Sequence, residues 1–133
     1  MAGPTHCFTP DLLQGKRALV TGGGTGIGRA IAFALAHAGA DLILAARQLP
    51  ALQATAEDIK TETGRNVLVT QVDIRSLESV QALAGFVNEH GAQVDILVNN
   101  AGGQFPQAAE NYSANGWRSI IDLNLNGTWN VTQ

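Results

Sequence analysis

A glycine-rich turn near the start of the chain has the composition of an anion-binding loop. Five of the seven residues from 22 to 28 are glycine, and they stand between an apolar run, 17–20, and a segment of helical periodicity, 27–38. Glycine permits the positive φ of a tight turn and lets a ligand approach the main chain without an intervening Cβ. The first N–H groups of the following helix have no intrahelical partner, and the helix dipole is positive there. The turn therefore predicts a site for a pyrophosphate.

The spacing of these glycines favours a dinucleotide over a nucleoside triphosphate. The pattern is Gly22-x-x-x-Gly26-x-Gly28, which differs from the common G-x-G-x-x-G. A phosphate P-loop would continue with Lys and Ser or Thr, but this chain continues with Arg29 and Ala30, so we exclude an NTPase. A turn that only packs a helix onto a sheet is the alternative, and five glycines exceed that need. The predicted cofactor contacts of the turn are Thr21, Gly22, Gly24, Thr25, Gly26, Ile27 and Gly28.

Strand and helix patterns alternate four times along the chain. Segments with helical spacing separate the short apolar runs that predict strands, at 17–20, 42–46, 67–72 and 95–98. Strands that are apolar throughout, without alternation, are typical of parallel sheets covered by helices on both faces. We therefore predict an α/β protein with a Rossmann-type, doubly wound parallel sheet, truncated after about four β-α units. In this interpretation residues 1–14 are an N-terminal arm, and residues 15–133 are the nucleotide-binding domain, incomplete at its C-terminus.

The helical spacing also predicts which side chains face the core. The apolar face of the first helix is predicted to be Ile27, Ile31, Leu35 and Ala38, with Gly39 as the stop. The second helix carries Leu52, Ala56 and Ile59 and stops at Gly64, and the third carries Val80, Leu83 and Val87 and stops at Gly91. Ser76 is the predicted N-cap of the third helix. A last helix is expected from near Asn115, with Trp117, Ile121 and Leu125 on one face.

The end of the second predicted strand indicates which dinucleotide fits. In folds of this class an Asp or Glu roughly 20 residues beyond the glycines binds the ribose hydroxyls of NAD(H). Here Ala46 stands 18 residues after Gly28, and Arg47 follows it. Because no carboxylate repels a 2′-phosphate there and a guanidinium is available to bind it, NADP(H) is the predicted cofactor. The alternative is that Arg47 is a solvated loop residue.

Further along the chain, small and polar residues follow one another in an order that resembles one enzyme family. Besides the glycine turn, the chain has Asp73-Ile74 after the third strand, Asn99-Asn100-Ala101-Gly102 after the fourth, and Asn124 within Asp122-Leu123-Asn124-Leu125. From about Leu12 to Gln133 the sequence resembles the N-terminal half of a short-chain dehydrogenase/reductase. The resemblance implies adenine contacts for Asp73 and Ile74, and further cofactor contacts for Asn99, Asn100, Ala101 and Gly102. It also implies a catalytic role for Asn124, whose main-chain carbonyl would hold a proton-relay water.

Two of these assignments have a simpler alternative. Asn99 and Asn100 also suit a plain strand-end turn, and Asn126-Gly127 could end or kink a helix in which Asn124 is incidental. The family's other catalytic residues, a Ser and a Tyr-x-x-x-Lys pair, have no counterpart here, since Tyr112 is the only tyrosine and Gly116 stands four residues on. The resemblance thus implies the N-terminal portion of a longer reductase, homo-oligomeric at full length. We expect these 133 residues to be inactive alone.

The resemblance also suggests the kind of substrate. It implies hydride transfer to or from a small-molecule carbonyl or enoyl group. The segment 100–105 is similar to peroxisomal-type 2-enoyl-CoA and 2,4-dienoyl-CoA reductases, which favours an acyl-CoA thioester. A ketone, alcohol or 3-oxoacyl reductase is the rival among enzymes. A non-catalytic NADP(H)-binding or scaffold protein is the rival outside them.

Composition argues against several other classes of function. The 8 basic and 11 acidic residues give a net charge of −3, which disfavours a nucleic-acid or anionic-membrane partner. No apolar run approaches the ~20 residues of a membrane span. His6, His37 and His90 are isolated, so no metal site is predicted, and the single Cys7 excludes an intrachain disulfide. The first ten residues do not resemble a secretory signal, so a cytoplasmic location is expected, with a peroxisomal one as the alternative that the resemblance offers.

Overall fold

The computed structural model describes residues 8–91 and 93–133. Its first part alternates strands and helices in the order β1 (Arg17–Thr21), α1 (Gly26–His37), β2 (Asp41–Ala46), α2 (Leu49–Thr63), β3 (Val67–Gln71), α3 (Leu77–Glu89) and β4 (Ile96–Val98). A 3₁₀ turn (Ala109–Asn111) leads to α4 (Ala114–Ile121), a π-helical segment (Asp122–Asn126) and α5 (Gly127–Thr132). Cys7 and His6, considered above, lie outside the described residues.

The four strands of the described chain form one parallel sheet in the order β3-β2-β1-β4. Leu19 in β1 pairs with Ile43 of β2 on one side and with Leu97 of β4 on the other. Chain order therefore runs outward from β1 in both directions, and the gap between β1 and β4 is the topological switch point. In sheets of this kind ligands bind at the carboxyl ends of the strands beside that point. The predicted Rossmann-type, parallel α/β fold is confirmed.

Two apolar layers cover the sheet, and β2 contributes to both. Its side chains alternate, so that Leu42 and Leu44 pack with α1 and α2 while Ile43 and Ala45 pack with α3. All four are essentially inaccessible to solvent, as expected of a strand buried on both faces. Strands β3 and β4 are only half-buried, because they lie at the two edges of the described sheet.

The predicted core face of α1 is confirmed at Ala38, which is buried, but is wrong by one residue at Ile27, Ile31 and Leu35. The buried positions are Gly28, Ala32 and Ala36, whereas Ile27 is 76% exposed and Ile31 and Leu35 are half-buried. The reason is distance: small residues let the helix axis approach the sheet closely, so the larger aliphatic side chains are displaced to the flanks. Ala56 of α2 is likewise half-buried, and Thr55 takes its place in the core with its hydroxyl donating to the Gly24 carbonyl at 2.9 Å.

The termini of the other helices follow the local sequence. The Ser76 side chain caps α3 by accepting from the Ser79 N–H at 3.2 Å, as predicted. His37 is the last residue of α1, and His90 follows the last residue of α3, where a cation suits the helix dipole. The helix predicted from near Asn115 is α4, which begins at Ala114, one residue earlier, but its regular hydrogen bonding gives way to a π-helical segment at Asp122–Asn126 that was not predicted.

A pair of Gly→Ala substitutions tests how closely α1 approaches the strand ends. A Cβ on Gly28 would collide with the Gly22 carbonyl oxygen and the Asn100 side-chain amide, while a Cβ on Gly85 in α3 would meet no atom within 4 Å. We expect Gly28→Ala to lower the free energy of unfolding by about 3 kcal/mol, at the upper end of overpacking costs. Gly85→Ala should raise it by about 0.5–1 kcal/mol, because alanine is the better helix former. Urea denaturation measures both, and a Gly28→Ala protein as stable as the wild type would contradict the packing.

Candidate cofactor-binding site

A crevice of about 430 Å³ opens at the carboxyl ends of the strands, beside the switch point. That volume lies within the range of small-molecule sites, roughly 300–1,000 Å³. Of the fourteen residues predicted to contact the cofactor, the crevice wall includes all except Thr21 and Asn99. The lining residues are Gly22, Gly24, Thr25, Gly26, Ile27, Gly28, Ala46, Arg47, Gln48, Ala51, Val72, Asp73, Ile74, Asn100, Ala101, Gly102 and Leu123.

The N-terminus of α1 faces this crevice with its amides free. Thr25 occupies the N-cap position, but its side chain caps nothing, and the first turn contains no acidic residue. Within the described residues, no carbonyl or side chain accepts from the N–H groups of Gly26, Ile27 and Gly28. By contrast, serine side chains cap α3 and α4. The free donors and the positive end of the helix dipole together suit a diphosphate.

Positive φ values at two glycines give the turn its shape. Gly22 has φ +69° and Gly26 has φ +54°, in the left-handed region that side-chain-bearing residues rarely adopt. Gly22 leads the chain out of β1, with its N–H donating to the Ala45 carbonyl of β2 at 2.7 Å. Gly26 begins the helix and has open space where a Cβ would stand. The backbone at that point is therefore accessible to a ligand.

Thr21 and Asn100 join the glycine turn to the end of β4. The Thr21 hydroxyl accepts from the backbone N–H groups of Asn100 and Ala101 at 3.1 and 3.0 Å, and it can donate to the Val98 carbonyl at 3.3 Å. The Asn100 side-chain amide donates to the carbonyls of Thr21 and Gly22 at 3.0 and 3.3 Å. Thr21 is 1% exposed and lies behind the crevice wall. Its observed contacts are structural: it fixes the turn relative to β4.

Charged side chains of opposite sign line the far part of the crevice. Arg47, exposed after the end of β2, stands on one wall, and Asp73, after β3, stands on another. Arg75 binds the Asp73 carboxylate through Nε at 2.9 Å and through Nη2 at 2.6 Å. These hydrogen bonds, with the nearby positive charges of Arg75 and Arg47, lower the pKa of Asp73 to about 2 against the opposing effect of burial. Asp73 is therefore an anionic hydrogen-bond acceptor at neutral pH.

Asn99 and Asn124 lie outside the crevice wall. The Asn99 side chain donates to the Thr132 hydroxyl at 3.0 Å and so ties the end of β4 to α5. The Asn124 side chain binds both polar groups of Gly103, accepting from its N–H at 3.1 Å and donating to its carbonyl at 2.8 Å. Its own carbonyl accepts from the Thr128 hydroxyl at 2.8 Å, within the π-helical segment. The observed role of Asn124 is to hold the backbone that follows Gly102, and the catalytic role stays a prediction.

Five lining residues were not predicted. Ala46 and Gln48 flank Arg47, and Val72 and Leu123 adjoin Asp73 and Asn124, so position in the sequence could have suggested these four. Ala51 has no such signal, because it reaches the crevice only through the packing of α2 beside Gly24, where a Cβ would stand 3.1 Å from the Ala51 backbone.

The described residues contain neither a metal-binding cluster nor a membrane-spanning helix. No three His, Cys, Asp or Glu side chains there cluster as ligands of a metal ion would. None of the described helices has the length and apolar character needed to cross a membrane.

The strand order defines an α/β fold of the Rossmann type, and comparison with known sequences narrows the class of protein. The family profile described as short chain dehydrogenase matches residues 16–133. The chain therefore belongs to the short-chain dehydrogenase/reductase family, a family of oxidoreductases, and the predicted resemblance is confirmed.

Relatives of known name share up to about half of its residues. The chain is 47% identical over 131 residues to a Caenorhabditis elegans protein named probable 2,4-dienoyl-CoA reductase 3, which covers 95% of this chain and 42% of that protein. It is 36% identical over 129 residues to the peroxisomal 2,4-dienoyl-CoA reductase of Danio rerio, covering 97% of this chain and 43% of that protein. The chain thus spans less than half the length of these curated relatives.

Solved structures of the family superpose closely on the described chain. The citronellol catabolism dehydrogenase AtuB of Pseudomonas aeruginosa matches with a TM-score of 0.86 and 38% identity, over 95% of this chain and 51% of that one. The L-sorbose reductase of Gluconobacter frateurii, in complex with NADPH and L-sorbose, matches with a TM-score of 0.86 and 32% identity, over 93% of this chain and 47% of that one.

Replacing Thr21 with valine tests its role behind the crevice. Thr21→Val keeps the shape but leaves the N–H groups of Asn100 and Ala101 without an acceptor, so we expect the free energy of unfolding to fall by about 2 kcal/mol. Thr70→Val is the matched control, because Thr70 lies half-buried on β3 and no described residue pairs with its hydroxyl. The control should change stability by less than about 0.5 kcal/mol. Equal effects of the two substitutions in urea denaturation would argue against the network.

Proposed function

We propose that this chain is the cofactor-binding part of an NADP(H)-dependent oxidoreductase that transfers hydride to or from a carbonyl or enoyl group. The observation that carries the proposal is the free N-terminus of α1, whose uncapped amides line the same crevice as Arg47. A dinucleotide phosphate has a diphosphate for the amides and a 2′-phosphate for the guanidinium. Bound there, the cofactor would supply the hydride, and the chain's own residues would bind and orient it.

The crevice has a suitable group for each part of such a nucleotide. The amides of Gly26, Ile27 and Gly28 fit the diphosphate, with Ile27 packing over it through the 76% of its surface that is exposed. Asp73 and Ile74 fit the adenine, one as an acceptor and the other as an apolar surface. On the opposite side, Ala101 and Gly102 are small enough to leave room for the second ribose.

For the substrate we propose an acyl-CoA thioester with an enoyl group. The names of the relatives from Caenorhabditis elegans and Danio rerio support this class. The similarity of segment 100–105 to enoyl-CoA and dienoyl-CoA reductases also supports it. The sugar ketone in the L-sorbose reductase complex favours the rival, a ketone or alcohol reductase. In either case Asn124, clamped on Gly103, is the residue of this chain proposed to act in proton transfer through its carbonyl.

We also propose that the complete protein is a homo-oligomer. Three large apolar side chains on the helical stretch after residue 113 are exposed, namely Trp117 at 60%, Leu125 at 63% and Trp129 at 64%. Large apolar side chains exposed together on one helical stretch support an interaction surface there. The domain is proposed to comprise residues 15–133, with residues 1–14 as an arm. The backbone of residues 10–14 packs against Gly39, where an added Cβ would stand 2.8 Å from the Pro10 carbonyl oxygen.

Cofactor choice is tested by substituting Arg47. Arg47→Ala removes the guanidinium proposed to bind the 2′-phosphate, so we expect NADPH affinity to fall about 10-fold, the lower end for an exposed charge-assisted pair. NADH affinity should change less than about 2-fold, because NADH lacks the phosphate. Lys60→Ala, which removes a positive charge from the last turn of α2, is the control and should leave both affinities unchanged. Equal loss of NADPH and NADH affinity in Arg47→Ala would contradict the assignment.

Turnover by the chain is a second test. These 133 residues contain Asn124 but neither the family's Ser nor its Tyr-x-x-x-Lys pair, so the general acid is missing. We expect a preparation of the chain to bind NADPH yet to show no loss of absorbance at the NADPH band with enoyl-CoA or ketone substrates. Oxidation of NADPH above the rate without protein would refute this expectation. Fusing the missing segment of a related reductase should restore turnover if the protein is an enzyme, and should not if it is a binding scaffold.

A further inference from the structure

Arg75 holds the Asp73 carboxylate with three donors. Its Nε and its backbone N–H both lie near Oδ1, at 2.9 and 3.1 Å, and its Nη2 lies 2.6 Å from Oδ2. At the other end of the residue, the Asp73 N–H donates to the Ser79 hydroxyl at 3.0 Å. Asp73 is therefore fixed through both its backbone and its side chain, while it remains on the crevice wall.

The count of acceptor positions on this carboxylate shows what it can still bind. An ionised carboxylate has about four acceptor positions and no donor. The bonds from the Arg75 backbone N–H and Nε use both positions of Oδ1, and the bond from Nη2 uses one position of Oδ2, with Nε as a longer secondary contact to Oδ2 at 3.2 Å. Oδ2 thus keeps one position, and it can accept one N–H from a ligand. It cannot bind a carbonyl oxygen, because an ionised carboxylate has no proton to donate.

We propose that Arg75 is a positioning residue for base selectivity: by holding Asp73 through a fork of donors, it makes the crevice accept a 6-amino purine and reject a 6-oxo purine. The inference rests on the proposed function, since Asp73 reads a base only if a nucleotide occupies the crevice. An exocyclic amino group donates to Oδ2. A 6-oxo group in the same place would bring its oxygen against a fixed negative charge.

A purely stabilising role explains the pair less well. The side chains are 44% exposed for Arg75 and 32% exposed for Asp73. Exposed ion pairs contribute little to stability, commonly below about 1 kcal/mol. Holding the Asp73 carboxylate in one orientation beside the ligand site does not require that the ion pair be buried.

The chain offers a matched control in Arg118. Arg75 and Arg118 line the same second cavity, of about 540 Å³, between the start of α3 and α4, together with Asp122 and neutral polar side chains. Arg118 is exposed and has no described contact with Asp73, so Arg118→Met removes an equal charge nearby and leaves the carboxylate fork intact.

The experiment compares two nucleotides on the full chain. Dissociation constants for NADPH and for its hypoxanthine analogue, reduced nicotinamide hypoxanthine dinucleotide phosphate, are measured by calorimetry for the wild type, Arg75→Met, Arg75→Lys and Arg118→Met. We expect the wild type and Arg118→Met to prefer NADPH by about 10-fold, the effect of one hydrogen bond to a charged group. In Arg75→Met the preference should fall below about 3-fold, and Arg75→Lys, which keeps the charge without the fork, should be intermediate.

The outcomes separate the two proposals. If the wild type binds both nucleotides equally, or if Arg75→Met weakens both by the same factor, the inference about Arg75 is wrong while cofactor binding stands. If Arg75→Met folds poorly, Arg75→Lys decides, because a preference as large as that of the wild type would overturn the inference. If the wild type binds neither nucleotide, the proposed function fails, and the selectivity inference fails with it.

Discussion

The close approach of α1 to the ends of β1 and β4 is the constraint on which the rest of the site depends. At Gly28 the helix backbone lies so near the Gly22 carbonyl and the Asn100 amide that no Cβ fits between them. That contact sets the direction of the helix, and the direction aims its first N–H groups into the crevice. Thr21 and Asn100 then hold the ends of β1 and β4 together, so that both strand ends face the helix. Their hydrogen bonds join residues that are 79 or 80 positions apart in the sequence. A site made in this way is a property of the backbone and of two polar side chains, the buried Thr21 and the partly buried Asn100.

The same constraint explains where the sequence-based prediction of α1 failed. Periodicity favours the largest aliphatic side chains as the core face, which selected Ile27, Ile31 and Leu35. A helix that lies this close to a sheet instead buries its smallest residues, and Ala32 and Ala36 are inaccessible while Ile27 is displaced into the crevice. Ile27 was nevertheless predicted as a cofactor contact, on the separate ground of its place in the glycine turn. The two expectations for Ile27 were incompatible, and the structure supports its place beside the crevice.

Features that depend on neighbouring residues could be predicted, and features that depend on distant packing could not. The strands, the glycine turn and the Ser76 cap are encoded within a few residues, so their positions follow from the sequence. The crevice contact of Ala51, the bond from Asn99 to Thr132 and the grip of Asn124 on Gly103 each join separate elements. The π-helical segment had a partial signal, since Asn124 is a polar residue that competes for backbone hydrogen bonds inside an otherwise apolar helix. The Asn124 side chain does donate to the Ile120 carbonyl at 2.9 Å. Only its contact with Gly103, however, explains why an asparagine stands at this position.

The two ends of the crevice offer different kinds of group to a ligand, main-chain amides at one end and side chains at the other. This difference bears on how selectivity for the nucleotide could change within the family. At the end proposed for the diphosphate the donors are main-chain amides, which are fixed by the helix and need no reorganisation to bind an anion. Side-chain substitution cannot remove them without disturbing the glycine turn itself. At the end proposed for the adenosine the groups are side chains, the exposed Arg47 and the partly exposed Asp73–Arg75 pair, whose replacement should leave the strands and helices in place. In the proposed binding mode, diphosphate binding is thus tied to the fold, whereas the choice of phosphate and of base would depend on three side chains that can vary independently of the fold.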